Sequence, residues 1–594
     1  MPQGNSEPAG NGQGSGVSRR GVIKGLGSFA AAAAWAPLFR LTPAEAAAGT
    51  PPPVFPAGFD LYRQGFENWA GDIRVDALWT CSPRSPQEVV TLANWAKAQG
   101  WRLRPRGSMH NWSPLALEPG TSSDARILMV DTTAHLADMQ MVAPLPEAAV
   151  RVQAGAMLED LLGFLETHGC GLAASPAPGD VTIGGMLAIG CHGTGLPALG
   201  EARKPGHSFG TLSNLIISIT AVVWDEGGAS YKLRTVPRSH PHCKALMTHL
   251  GRSFVTEVVL RVGADTNLRC VSHMNIPASE MFAAPGSGGR TIASFVQQAG
   301  RIEAIQFPFT SNPWLKVWSV SPAKPLLSRK VTRPYNYLFA DSIPRVVSDL
   351  ADQVLSGVGA ATPAFGAVEY TVSSAGLLAT LSQDIWGPSK NLMLYVKPTT
   401  LRVTANGYAI LTSRANIQRV IHEFNQKYQA MMQAYQARGQ YPVNGPVEIR
   451  ITGLDHPEHV GIPGAEAPAL SAVRPRPDHP EWDVAIWLDL LTFPGTPHAN
   501  EFFREFELWA FQNYSGSYAT MRVEWSKGWG YGTEAAWTDP LVLGQHIPQG
   551  FRIAAGQQEN WDWALQKLDQ FDPHRIFSSP MLDRLMPPVA PFQV

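Results

Sequence analysis

The chain has 594 residues, 44% hydrophobic and 16% charged, which supports a sizeable core and excludes a disordered polymer. Lys+Arg number 47 and Asp+Glu 48, a net charge of −1, so the basic excess that a nucleic-acid binder needs to displace counterions is missing. The five cysteines form no C-x-x-C pair and their odd number completes no disulfide set, so no zinc, iron–sulfur or other metal site is expected.

Residues 1–17 are polar and rich in Gly, Ser, Asn and Gln. Arg19-Arg20 then precede a weakly apolar stretch, 25–39, and Ala44-Glu45-Ala46 and Ala46-Ala47-Ala48 both fit A-x-A cleavage. This layout predicts a twin-arginine signal peptide over 1–48. Pro37 and Arg40 interrupt the stretch, which falls short of the ~20 residues a spanning helix needs. The expectation is a soluble mature protein secreted to the periplasm or medium.

Ser85-Pro86-Gln87-Glu88 reads as a helix start: a cap, a first-turn proline and a capping-box glutamate. Val89, Leu92, Ala93 and Ala96 continue at helical spacing, and Gly100 supplies the stop. Trp101–Pro105 follows as a strand. A second strand–helix unit is predicted at 150–154 and 158–165, stopped at Gly169, before a small-residue loop over 177–195. Strands are predicted at 215–224, 231–234, 255–262, 301–307, 447–452 and 521–525, and helices at 417–435 and 501–512. The organisation expected is α+β in two domains, 55–265 and 266–500, with 501–594 returning to the first.

Gly206-His207-Ser208-Phe209-Gly210 matches the nucleophile elbow of a secreted serine esterase using Ser208. That motif wants a strand before the serine and a helix after it, and here a polar segment precedes and a β run follows. Gly193-Thr194-Gly195-Leu196-Pro197-Ala198 matches a loose dinucleotide fingerprint, but Pro197 sits where a helix must begin. Two loops remain: Arg104 to Ser113, with Arg106, Gly107, Ser108, Met109, His110 and Asn111, and Pro178 to Gly195, with Gly179, Asp180, Thr182, Ile183, Gly184, Gly185, Gly190, His192, Gly193 and Gly195. Both are dense in residues that let backbone N–H groups face an anion, so a diphosphate held between them is expected.

In order, Ser85-Pro86-Gln87-Glu88-Val89, the Arg104–Ser113 loop, Ile183-Gly184-Gly185 and His192-Gly193-Thr194-Gly195 resemble the vanillyl-alcohol oxidase type of FAD-binding family. The resemblance covers about 80–265. It implies a two-domain PCMH/VAO-type fold with a large α+β substrate-binding domain, with FAD bonded to His110. Arg104-Pro105-Arg106-Gly107, Met109-His110, the leader and the long second domain most resemble the covalent-flavin bacterial sterol oxidases of that family. Aldonolactone and alditol oxidases share the FAD domain and form the same-fold alternative.

The resemblance further implies a Glu-x-Arg pair facing the flavin, which Glu448-Ile449-Arg450 fits. Residues i and i+2 of a strand share a face, so both charges enter one cavity. Arg450 is then expected to polarise the substrate hydroxyl and Glu448 to orient Arg450 or gate oxygen. Glu303 resembles the other inward carboxylate and is expected to carry the proton, its pKa raised by an apolar pocket. Lys527, in Glu524-Trp525-Ser526-Lys527, lies where relatives carry H-W-G-K, and only the lysine is retained. Trp314, Trp318, Tyr335, Tyr337, Phe339, Phe365, Trp386, Tyr395 and Trp487 are candidate walls for a hydrocarbon substrate. The expected partners are a sterol and molecular oxygen, with transient contact to a membrane surface and a monomeric enzyme.

Overall fold

A computed structural model describes residues 51–337, 345–397, 400–552 and 561–589. The predicted leader at 1–48 and Phe339 lie outside them.

The Ser85 hydroxyl accepts from the Glu88 N–H at 3.3 Å and starts the helix Pro86–Gln99, which Gly100 ends in the left-handed region at φ 67°. Val89, Leu92, Ala93 and Ala96 are fully buried, and each large apolar side chain removed from water contributes about 1.5–3 kcal/mol. This helix packs between two sheets. One runs Leu61–Glu67, Arg74–Cys81, Ile127–Asp131, Arg102–Arg106, and the other Met139–Ala143, Ala149–Gln153, Phe254–Arg261, Ile216–Asp225, Ser230–Pro237. Within the loop expected at 177–195 the structure has a short helix, Ile183–Ala188. Ile183, Met186 and Leu187 bury its apolar side, a stripe too brief to stand out beside two glycines.

From Asn267 the chain enters a nine-stranded sheet, antiparallel except at one edge. Its spatial order is Arg329–Lys330, Asp384–Pro388, Asn267–His273, Trp314–Val320, Arg301–Gln306, Val447–Gly453, Val484–Thr492, Thr404–Thr412, Ala519–Val523. Alternation gives the sheet two characters. Ile302, Ala304, Ile449, Ile451, Leu488 and Leu490 join the core beneath the helices Ile417–Gln436 and Ala499–Asn513. Glu303, Glu448, Arg450 and Asp489 stand on the other face, towards the first unit.

The helix at 499–513 and the strand at 519–523 belong to this second unit. The chain then meets the first unit at Trp525 and Ser526, whose carbonyls accept from Ser113 and Trp112, and the segment from Trp561 packs along it. Leu103 N–H donates to the Ile576 carbonyl at 2.8 Å, Arg102 meets Asp583 at 2.8 Å, and buried Asp572 takes the Tyr231 hydroxyl at 2.5 Å and Arg252 at 3.1 Å.

Candidate active site

A cavity of about 340 Å³ lies between the two units. Its first-unit wall is Arg106 to Ser113 together with Thr182, Gly185, Gly190, His192 and Gly193. Strand alternation turns Arg104 and Arg106 inward, where Arg104 donates to the Leu115, Ala116 and Gly251 carbonyls and Arg106 to the Gly65 carbonyl at 2.8 Å. These bonds fix the return of the loop. Met109, at φ 58°, completes the turn and presents His110. The His110 ring stacks on Trp69 with centroids 4.0 Å apart, and its Nδ1 lies 3.7 Å from Asp180.

Several residues expected to face the cofactor instead build the wall. A Cβ on Gly184 would meet the Ala154 Cβ at 2.8 Å, one on Gly179 the Glu159 Cβ at 2.9 Å, and one on Gly195 the Phe209 ring at 3.3 Å. Ile183 is wholly in the core. These glycines let the loop lie against its own protein. Gly107 plays the same part between the loops, because a Cβ there would strike the Thr182 hydroxyl at 2.4 Å.

The second-unit wall is set by strand register. Lys316 opposes Glu303, Glu303 opposes Arg450, and Arg450 opposes Trp487, while Glu448 opposes Asp489. Arg450 donates to Glu303 at 2.8 Å, Glu448 at 2.7 Å and Asp489 at 3.0 Å. Glu303, fully buried, also accepts from Lys316 and from the Tyr395 hydroxyl, each at 2.8 Å. Glu448 and Arg450 line the cavity while Ile449 is buried behind, as the i, i+2 spacing requires. Lys527 reaches the same wall, 4.0 Å from the Trp112 ring centroid and 3.9 Å from Asp489.

Burial alone raises the proton affinity of Glu303, but Lys316 and Arg450 outweigh it and hold the carboxyl well below its ordinary range. That corrects the expectation of a raised carboxyl in an apolar pocket. The contrast between two acids falls on Asp489 and Glu524 instead. Burial, then the Glu524 charge, pushes Asp489 well up; Lys527 and His192 overcome burial at Glu524 and hold it down. Asp489 Oδ1 and Glu524 Oε2 are both buried without a hydrogen-bond donor, and a Cβ on Gly407 would touch them at 2.6 and 3.0 Å. Two such oxygens side by side require one proton between them, carried on Asp489. Glu524 Oε1 also lies 3.6 Å from His192 Nε2, and the His192 ring stacks on Trp487 at 3.5 Å.

Sequence reasoning missed Lys316, Asp489 and the role of Glu524. The signal was present: Lys316 interrupts the apolar run 314–318 and Asp489 the run 484–492. A charge within such a strand is buried and needs a partner. Of the candidate walls, Trp318 and Tyr395 line the cavity, and Trp314 and Tyr337 pack behind them. Ser208 has no catalytic surroundings: Asn214 donates to its hydroxyl at 3.3 Å, and His207 Nε2 bonds the Ala264 carbonyl at 3.0 Å. The esterase reading therefore falls.

His110 Nδ1 and Asp180 Oδ1 are buried without a hydrogen-bond partner, and His110 lines the cavity, which fits a prosthetic group lying between the two loops. Fold and site together define a two-domain FAD-dependent oxidoreductase. The FAD-binding-domain family matches residues 78–205, and the cholesterol oxidase substrate-binding family matches 267–587. A solvent-stable cholesterol oxidase structure is 57% identical with a TM-score of 0.89, covering 90% of this chain and 100% of that one. A histidine-to-alanine mutant of cholesterol oxidase from Brevibacterium sterolicum is 44% identical with a TM-score of 0.88, covering 91% and 99%. L-gulonolactone oxidase of Bos taurus is 31% identical over 135 residues, which span 22% of this chain and only 28% of that protein. The chain belongs to the cholesterol oxidase family.

Proposed function

We propose that the chain oxidises 3β-hydroxysterols, converting cholesterol and oxygen to cholest-4-en-3-one and hydrogen peroxide, with FAD attached through His110. The observation that carries this reading is the make-up of the cavity wall. Arg450, Glu448 and Lys527 supply charge, and Trp318, Met393, Leu401, Val403 and Leu491 supply apolar surface to the same cavity. That matches a hydrocarbon with one polar handle, whose affinity comes from burial at about 25 cal/mol per Å². A sugar lactone or alditol would ask for hydrogen-bonding groups throughout.

Gly107, Thr182, Gly185, Gly190 and Gly193 would hold the dinucleotide, and bound FAD supplies the hydride acceptor and passes electrons to oxygen. The rest is the work of side chains. Arg450 is kept charged because the Glu448 and Glu303 carboxylates outweigh its burial, so it can anchor the sterol hydroxyl. Glu303 is ionised at rest, as a base must be, and takes the sterol hydroxyl proton when Arg450, which it shares with Glu448 and Asp489, moves off it. Once that proton has passed to solvent, the ionised carboxylate takes the C4 proton and returns it at C6. Glu448 draws Arg450 away and so controls access of oxygen to the site.

Twin-arginine export, a monomeric enzyme and transient contact with a lipid surface complete the proposal. Among the described residues no helix is long and apolar enough to cross a membrane. Peroxide release with cholesterol but not with L-gulonolactone or xylitol supports the sterol reading, and the reverse overturns it. A yellow pellet after acid precipitation supports the covalent bond, and a yellow supernatant overturns it.

A further inference from the structure

The loop leaving the strand Trp314–Val320 carries Leu326 at 92% and Leu327 at 90% exposure, the two most exposed large apolar side chains among the described residues. Leu378 and Leu381 stand in solvent beside them, at 58% and 76%. The two segments form one surface, since Arg329 donates to the Thr380 carbonyl and the Tyr335 hydroxyl to Thr380 Oγ1 at 3.3 Å. A lone exposed leucine is ordinary; four grouped on one edge mark a surface that something covers.

Charge identifies the occupant. Residues 321–337 and 371–383 contain Lys324, Arg329, Lys330 and Arg333 and no acid. The next acid, Asp384, is engaged by Arg269 at 2.9 and 2.7 Å and by Ser328 at 2.8 Å. Arg329–Lys330 is also the outer strand of the nine-stranded sheet. Exposed cations on so short an edge repel a second copy of the same edge, so strand-to-strand dimerisation is disfavoured. Leucines ringed by cations suit an anionic bilayer, where apolar side chains enter the acyl boundary and cations meet headgroups.

The edge is continuous with the cavity. Trp318, on the strand feeding the loop, lines it. The strand Asp384–Pro388, paired to Arg329–Lys330, leads through the helix Ser389–Met393 to the lining residues Met393 and Tyr395.

The geometry points to this edge, centred on Leu326 and Leu327 with Lys324, Arg329, Lys330 and Arg333, as the surface that docks the enzyme on anionic lipid. This deepens the sterol-oxidase reading by placing the enzyme where its substrate resides, while the docking itself needs no sterol. The test is co-sedimentation of the flavin-loaded protein with sterol-free phosphatidylcholine vesicles, with and without phosphatidylglycerol. Binding that requires phosphatidylglycerol, weakens with salt and falls about tenfold or more in Leu326→Asp/Leu327→Asp supports the proposal. Turnover of cyclodextrin-delivered cholesterol stays unchanged in that variant. A wild type left in the supernatant, or a variant that binds as well as wild type, overturns the proposal. So does sedimentation velocity showing a wild-type dimer that the variant dissociates, because the occupant is then a second copy. Loss of cyclodextrin-delivered turnover in the wild type itself would instead strike the sterol reading and leave the vesicle result standing.

Discussion

Replacing Glu303 with glutamine keeps the side-chain volume and removes one charge from a fully buried site. Lys316, 2% exposed, then loses its carboxylate, and Arg450 keeps only Glu448 and Asp489. Leaving one partner of a buried ion pair uncompensated costs about 3–5 kcal/mol, so Glu303→Gln is expected to unfold at distinctly lower temperature or denaturant. Adding Lys316→Met removes the orphaned ammonium and restores most of that stability. Activity follows a different course. A positioned proton acceptor contributes about 10²- to 10⁴-fold, so both oxidation and double-bond migration fall by that order, and the Lys316→Met background does not rescue them. The assay pairs calorimetric unfolding with separate rates for peroxide release and for appearance of the conjugated enone. A Glu303→Gln enzyme with both rates intact would refute the role of Glu303, and one with unchanged stability would refute the buried charge cluster.

Asp489→Asn imitates the protonated acid: its amide can donate to Glu524 and its carbonyl accept from Arg450, so turnover at neutral pH is expected to change little. Infrared difference spectra against wild type should lose a carboxylic-acid carbonyl band, and its persistence would place the shared proton elsewhere. Glu507 is buried beneath the turn that follows Lys527, accepting from the Gly530 and Tyr531 N–H groups at 2.7 and 2.9 Å, and burial raises its pKa to about 7. With the folded pKa above the unfolded one, its stabilisation is full below about pH 4.5 and is lost as pH rises through 7, by about 3 kcal/mol at most. Wild type should therefore lose stability between pH 5 and 8 relative to Glu507→Gln, and parallel profiles would contradict this. His110→Ala should retain flavin that acid precipitation now releases; flavin still bound to the precipitate would assign the linkage to another residue.

Much of the first unit was legible because its signals are local. The Ser85 cap, the Gly100 stop and the apolar spacing between them place a helix without reference to the rest of the chain. Glu448 and Arg450 were legible for a similar reason, since the two-residue period of a strand puts them on one face whatever the neighbours. What local pattern could not supply was register. Glu303 meets Arg450 and Lys316 only because three strands distant in sequence pair as they do, and that pairing reverses the expected proton affinity of Glu303. The glycines of the second loop misled in another way: their spacing suggests a ligand cradle, but Gly179 and Gly184 are small because Glu159 and Ala154 stand against them. The strand expected at 521–525 forms at Ala519–Val523, and assigning it to the second unit required its partner Thr404–Thr412.

The most direct test is anaerobic titration of the purified protein with cholesterol while the visible flavin absorption is recorded. The protein is expected to be yellow, with a flavin band that bleaches stoichiometrically with cholesterol and recovers when air is admitted. A colourless protein, or a flavin that L-gulonolactone bleaches and cholesterol does not, would contradict it.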